Sequence, residues 1–201
     1  MAPPRLVVAT RNEHKLRELG QILKGVTLVP LPDDVELPAE DGTTFAANAL
    51  IKARTAHEAT GEPAIADDSG IEAAALSGRP GVRSARYAGE HATDTENLAL
   101  LIRELHDQDD RSVSYVCALA YVDAAADERI FDGRCEGELA RDPRGENGFG
   151  YDPAFVPRDI QPPDERTMAE LSDDEKHAIS HRGRAARALA SYLGLPGGGG
   201  A

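Results

Sequence analysis

The sequence has no tryptophan and only four phenylalanines and five tyrosines among its 201 residues. Its core must therefore be built from aliphatic side chains, and an aromatic ring in a loop needs a reason to be there. It has two cysteines, Cys117 and Cys135. Their separation matches no metal-ligand spacing, so both are expected as reduced core residues. No apolar run approaches the ~20 residues of a membrane span, and the opening MAPPRLVVAT is too short for a secretory h-region. A cytoplasmic protein without a membrane partner is expected. Basic residues are also scarce: 22 Lys and Arg against 35 Asp and Glu, a net charge of −13. That balance argues against a nucleic-acid polymer as partner, which needs a basic face. A small anionic ligand is still allowed, because exposed charges more than ~8 Å apart are largely screened and a local cluster of cations can override the global sign.

What is present reads as a globular chain. Hydrophobic residues make up 41% and charged residues 28%, enough to fill one large domain or one domain of two lobes. There is no internal repeat. The glycine-rich PGGGGA at 196–201 is expected as a disordered tail after a single domain over 1–195.

The periodicities alternate. RLVVAT (5–10) reads as a buried strand, and the following helix carries Leu16, Leu19, Ile22 and Leu23 on one face and stops at Gly25. A second helix starts at Thr43 or Thr44 and ends at Gly61. AIA (64–66) predicts a short strand, followed by an acidic turn and a short helix in IEAAALSG. Thr93 and Glu96 form a capping box ahead of a stripe of Leu98, Leu101, Ile102 and Leu105. RSVSYVCALAYVD and RIFDGRCEGEL predict a hairpin, Thr167/Glu170 and Ser172/Glu175 repeat the capping-box spacing, and a last helix begins near His181. Helices alternating with strands, then strands pairing directly, predict an α/β fold on a mixed central sheet flanked by helices.

Several stretches carry candidate chemistry, each with an ordinary alternative. ATRNEHK (9–15) joins a strand to a helix, where backbone N–H groups bind anions and Lys15 adds a charge; alternatively Asn12 only caps the helix. IADDSG (65–70) brings two carboxylates together. They either line a solvated turn or hold Mg²⁺, which takes one or two carboxylates plus waters and phosphates. GRPGVRSARYAGE (78–90) is a loop with three arginines whose spacing does not separate a surface loop from a cationic edge. ENGFGYDPAF (146–155) sets Phe149 and Tyr151 among glycines before Asp152, as a ring that stacks on a base would be set, or as a small core contact. EKHAISHRGRAA (175–186) places Lys176, His181 and Arg182 at a helix start, where an arginine opposes the helix dipole.

Taken in order, TRNEHK, TF…NALIKA, ADDSGIE, GRPGVRSARYAG, FGYDPAF and TMAEL…EKHAISHRG resemble the inosine triphosphate pyrophosphatase family over residues 10 to about 185. The resemblance implies hydrolysis of non-canonical purine nucleoside triphosphates (ITP, dITP, XTP) to the monophosphate and pyrophosphate. It also implies two lobes with a nucleotide cleft between them, a homodimer, and Mg²⁺ as cofactor. Carried over by position, Thr10, Arg11, Asn12, Glu13, His14 and Lys15 hold the triphosphate, and Lys52 reaches a phosphate. Asp68 is the catalytic acid group and a metal ligand, joined at the metal by Asp67 and Glu40. Ser69 contacts substrate. Phe149, Gly150, Tyr151 and Asp152 form the base and sugar pocket with Lys176, His181 and Arg182. Arg182 is expected to read the keto oxygen at purine position 6, since it offers only donors. Two positions depart from the family pattern: Ala47 stands where Glu is common, so Glu40 or Asp67 takes a larger share of the metal, and His177 replaces Asn. Two rivals make different products: an aspartyl-phosphate phosphatase, which would want Asp-x-Asp, releases phosphate, and a nucleotide sensor releases nothing.

Overall fold

The structure is a computed structural model that describes residues 3–160 and 164–195; the tail expected at 196–201 lies outside the described residues. The chain runs β1 (Arg5–Val8), α1 (Glu13–Ile22), β2 (Thr27–Pro30), α2 (Phe45–Thr60), β3 (Ala64–Ala73), α3 (Asp94–Glu104), β4 (Ser112–Val122), β5 (Glu128–Leu139), β6 (Phe155–Pro157), α4 (Asp173–Ile179) and α5 (His181–Tyr192). Six strands form one sheet in the order β2-β1-β3-β4-β5-β6. β1 pairs in parallel with both β2 and β3, and β5 pairs antiparallel with β6. This is the mixed sheet with flanking helices that the alternation predicts. Among the described residues no helix is long and apolar enough to cross a membrane.

The chain divides into two compact units. The first takes the residues up to Asp68, Cys117–Gly133 and those from Arg182; the second takes Ser69–Val116 and Arg134–His181. The first unit is cored by Leu6, Val8, Leu19, Leu23, Ile65, Cys117, Leu119 and Leu189. The α1 stripe behaves as its spacing predicts: Leu19 and Leu23 are buried, with Leu16 and Ile22 packed against the same cluster. Asn12 caps α1, its Oδ1 accepting from the N–H groups of His14 and Lys15. Thr44, not Thr43, caps α2. The second unit is cored by Ile71, Leu98, Leu101, Val113, Tyr115, Leu139, Phe155 and Met168. All three capping boxes form there.

One expectation fails. The acidic turn and short helix after Ala66 are a single strand to Ala73, followed only by a 3₁₀ turn over Ala74–Leu76. The strand persists because both of its faces are covered: Ala64, Ile65, Ala66, Ile71 and Ala73 are all fully buried. Within it, Gly70 allows a close approach. A Cβ there would lie 2.3 Å from Ser84 Oγ and 2.7 Å from the Gly81 carbonyl oxygen.

Candidate active site

A strand places successive side chains on opposite faces, and Asp67 and Asp68 are divided accordingly. Asp67 accepts from Nε and Nη2 of Arg182 at 3.1 and 2.8 Å, and Lys15 Nζ lies 3.2 Å from the same oxygen. Asp68 accepts from Asn48 Nδ2 at 2.9 Å, and its other oxygen faces Lys52 Nζ at 3.8 Å. Lys52 also donates to Glu40 at 2.5 Å and to the Asp67 carbonyl at 2.9 Å. The two carboxylates thus belong to different networks joined through one strand.

Their proton affinities are driven apart. Burial alone would raise the pKa of Asp67, but the charges of Arg182, Lys15 and Lys52 outweigh it and hold the carboxyl well below its ordinary range. At Asp68, burial dominates, helped by the nearby Glu40 charge, and the pKa is raised despite Lys52, Lys15 and the Asn48 hydrogen bond. Burial works against the charge on Lys52, yet Asp68, Glu40 and Asp67 together raise its pKa. The two adjacent acids thus shift in opposite directions, Asp67 downward through its cations and Asp68 upward through burial.

Arg182, expected to face the purine, is held by two carboxylates. Its guanidinium, 2% exposed, is bound by Asp67 and by Glu18, whose Oε2 accepts from Nη1 at 2.6 Å. Burial alone would lower its pKa; Asp67 and Glu18 reverse this and raise it. Asp67, expected at the metal, pairs with these cations through Oδ2. Arg11, expected on the triphosphate, donates to the carbonyls of Leu31, Pro32 and Val35 and pins the segment after β2. Thr10 Oγ1 accepts from the Asn12 N–H. Glu13 and His14 are exposed, with His14 Nδ1 3.1 Å from Arg17. Of the TRNEHK segment, Lys15 reaches the acidic pair, at Asp67. Ser69 follows in β3, half-buried.

In the second unit the aromatic loop is organised around Asp152. That buried carboxylate accepts from Tyr115 Oη at 3.0 Å, Lys176 Nζ at 2.7 Å and the Phe149 N–H at 2.9 Å. Lys176 Nζ also stands 5.1 Å from the centre of the half-buried Phe149 ring, in cation–π range. Tyr151, by contrast, is buried, and its hydroxyl donates to the Ser84 carbonyl at 2.7 Å, so it anchors the loop. Gly150 donates its N–H to Asp94 at the start of α3. His181 stacks on Tyr115, ring centres 4.6 Å apart.

Sequence reasoning missed Glu18, Asn48 and Tyr115. Asn48 left a signal: Thr44, Asn48 and Lys52 recur every fourth residue on the face of α2 that also buries Ala49, Ala53 and Ala56, and polar residues on a buried small-residue face need partners. Glu18 left none, since its partner is 164 residues away in the chain.

Among the described residues no group of three or more His, Cys, Asp and Glu side chains is arranged to hold a metal. Asp68 and Glu40, however, both turn an oxygen toward Lys52 Nζ. Two carboxylates with no nitrogen or sulfur donor suit a hard cation that completes its shell with water and phosphate oxygens, as Mg²⁺ does.

The chain resembles other proteins along nearly its full length. It is 50% identical over 198 residues to a dITP/XTP pyrophosphatase of Mycolicibacterium paratuberculosis, covering 94% of this chain and 95% of that protein. It is 52% identical over 200 residues to one of Frankia alni, covering 94% and 96%. Among solved structures, a HAM1 protein from Coxiella burnetii superposes with a TM-score of 0.85 at 44% identity, covering 95% of this chain and 98% of that one. The Staphylococcus aureus Ham1 protein superposes at 0.83 with 37% identity, covering 94% and 98%. The Ham1 family model matches residues 6–192, and the chain belongs to the Ham1 family.

Proposed function

We propose that this protein hydrolyses non-canonical purine nucleoside triphosphates (dITP, XTP and ITP) to the monophosphate and pyrophosphate. The observation that carries the reading is the divided acid pair: Asp67 is locked to Arg182 and Lys15, while the adjacent Asp68 faces Lys52 with its pKa raised. The relatives named dITP/XTP pyrophosphatase, at 45–52% identity, supply the substrate class.

Asp68 orients the attacking water and takes its proton as the water oxygen bonds to the α-phosphorus and the bond to the bridging oxygen of the β-phosphate breaks. Lys15 and Lys52 stabilise charge on the departing pyrophosphate. Asp68 and Glu40 would hold Mg²⁺, which when bound neutralises phosphate charge. Phe149 stacks on the purine, its ring steadied by Lys176, and Asp152 fixes both through its three hydrogen bonds. A homodimer, as the resemblance implies, in the cytoplasm completes the proposal, and the charge of −13 supports a small-molecule substrate over a nucleic-acid polymer.

The test is product identity. Incubation with dITP and Mg²⁺ should yield dIMP and pyrophosphate in equal amounts, and Asp68→Asn should lower turnover by ~10²–10³. Inorganic phosphate as first product, no product, or near wild-type turnover in Asp68→Asn would each refute the assignment.

A further inference from the structure

Asn48 is buried, 2% exposed, and its amide is used at both ends. Nδ2 donates to Asp68 Oδ2 at 2.9 Å, and Oδ1 accepts from the Gly42 N–H at 2.8 Å. Gly42 lies two residues beyond Glu40, whose carboxylate meets Lys52 Nζ at 2.5 Å. Lys52 is one helical turn after Asn48 on α2, so the same face of one helix touches both acids. The fit is tight: a Cβ on Gly42 would sit 2.4 Å from Asn48 Oδ1.

We infer that Asn48 is a positioning residue that sets Asp68 and the Glu40 segment relative to one another, acting through a single amide. By holding Oδ2 of Asp68, it leaves Oδ1 turned toward Lys52, which also binds Glu40. By accepting from Gly42, it fixes the backbone that carries Glu40. Neither acid is rigid by itself, since a carboxylate can rotate about its own bond and the segment before α2 has no regular structure. Amide clamps of this kind around metal-binding carboxylates typically change metal affinity or activity by ~10–100-fold when removed. The inference rests on the assignment of Asp68 and Glu40 proposed above.

Three variants test it. Asn48→Ala removes the clamp. Gly42→Ala keeps Asn48 but pushes its amide away, and it adds no backbone strain because Gly42 has no left-handed φ. The third combines them. Each single change should lower kcat on dITP by ~10–100-fold while KM moves less than about two-fold. Mn²⁺ affinity, measured by electron paramagnetic resonance on nucleotide-free protein, should fall by a similar factor. In the combined variant the two losses should not multiply, because the alanine methyl then has no amide to displace. Wild-type kcat and Mn²⁺ affinity in Asn48→Ala would overturn the inference, as would fully multiplicative losses or a lowered melting temperature with unchanged kcat. If Asn48→Ala does not fold, Gly42→Ala decides alone by the same two readouts. Asp68→Asn run alongside separates the two levels. If it is inactive while Asn48→Ala is normal, only the positioning role falls; if it too is active, the parent assignment falls with it.

Discussion

Asp67 and Asp68 share a peptide bond yet should respond oppositely to the same chemical change. Asp67→Asn removes the charge that balances a fully buried Arg182, and breaking a buried ion pair from one side costs about 3–5 kcal/mol. For a chain of this size that is a melting-temperature drop of roughly 10 °C. Arg182→Ala should behave the same way, leaving Asp67 and Glu18 to face each other's charge, so its activity loss will report stability before it reports base preference. Asp68→Asn should instead raise the melting temperature of the metal-free protein, because the ionised carboxylate there is held against burial. The signs follow from linkage. Asp67 has its pKa depressed on folding, so its contribution is complete above the unfolded value of about 3.9 and is lost as pH falls below it. Asp68 has its pKa raised, so its carboxyl is best tolerated at low pH and stability is lost as pH rises through the folded value. Calorimetry from pH 4 to 8 should show the Asp68→Asn advantage growing with pH. An advantage that shrank with rising pH would contradict the assigned shift.

At the scale of elements, β3 is where sequence and structure part company, and the reason is physical. DDSG has the composition of a turn, because unpaired Asp and flexible Gly disfavour strands. What makes it a strand lies far along the chain: Arg182 is 115 residues from Asp67, and Asn48 is 20 from Asp68. Local patterns therefore gave α1, α3, the hairpin of β4 and β5 and the capping boxes, where the partners are within a few residues. They could not give the intramolecular partners of Arg11, Tyr151 or Arg182. An arginine or tyrosine in a motif looks the same whether it reaches out to a ligand or back to the chain. Lys15, Lys52, Asp152 and Lys176, read as site residues, do lie in charged clusters. The strand reading makes its own prediction. Gly70→Ala drives a methyl into Ser84 Oγ and the Gly81 carbonyl and should cost about 1–3 kcal/mol. Gly20→Ala, exposed in the last turn of α1 with nothing within 4 Å, should gain up to about 0.5–1 kcal/mol. Urea midpoints check both. Tolerance of Gly70→Ala would mean that the segment yields as a turn would.

At the scale of the whole molecule, a protein with a net charge of −13 captures a substrate that is itself a polyanion. The arrangement of charge resolves this. After burial itself, the strongest influences on Asp67 and Asp68 are Arg182, Lys15, Lys52, Glu40 and the Asn48 amide, all within one small cluster, whereas surface charges more than ~8 Å away are screened at physiological salt. Of the cations in the cluster, Arg182 is committed to carboxylates at 2% exposure, while the Lys15 side chain is 14% exposed and half-way between pairing Asp67 and meeting solvent. Capture should therefore depend on single cations and be almost blind to the global field. A charge-assisted bond to phosphate contributes about 1.5–3 kcal/mol, or roughly 10–100-fold in affinity. Lys15→Ala should raise KM for dITP by that factor at 0.15 M salt, with the fold kept because Arg182 still pairs Asp67. Neutralising Asp123 and Asp127 together by Asn substitution, at the exposed turn between β4 and β5, keeps the turn's side-chain acceptor and should change KM by less than two-fold. The comparison is made by steady-state kinetics at low and physiological ionic strength. If the double Asp→Asn variant lowered KM as strongly as Lys15→Ala raised it, and did so at both salt concentrations, capture would be governed by the overall field and the localised cluster would lose its role.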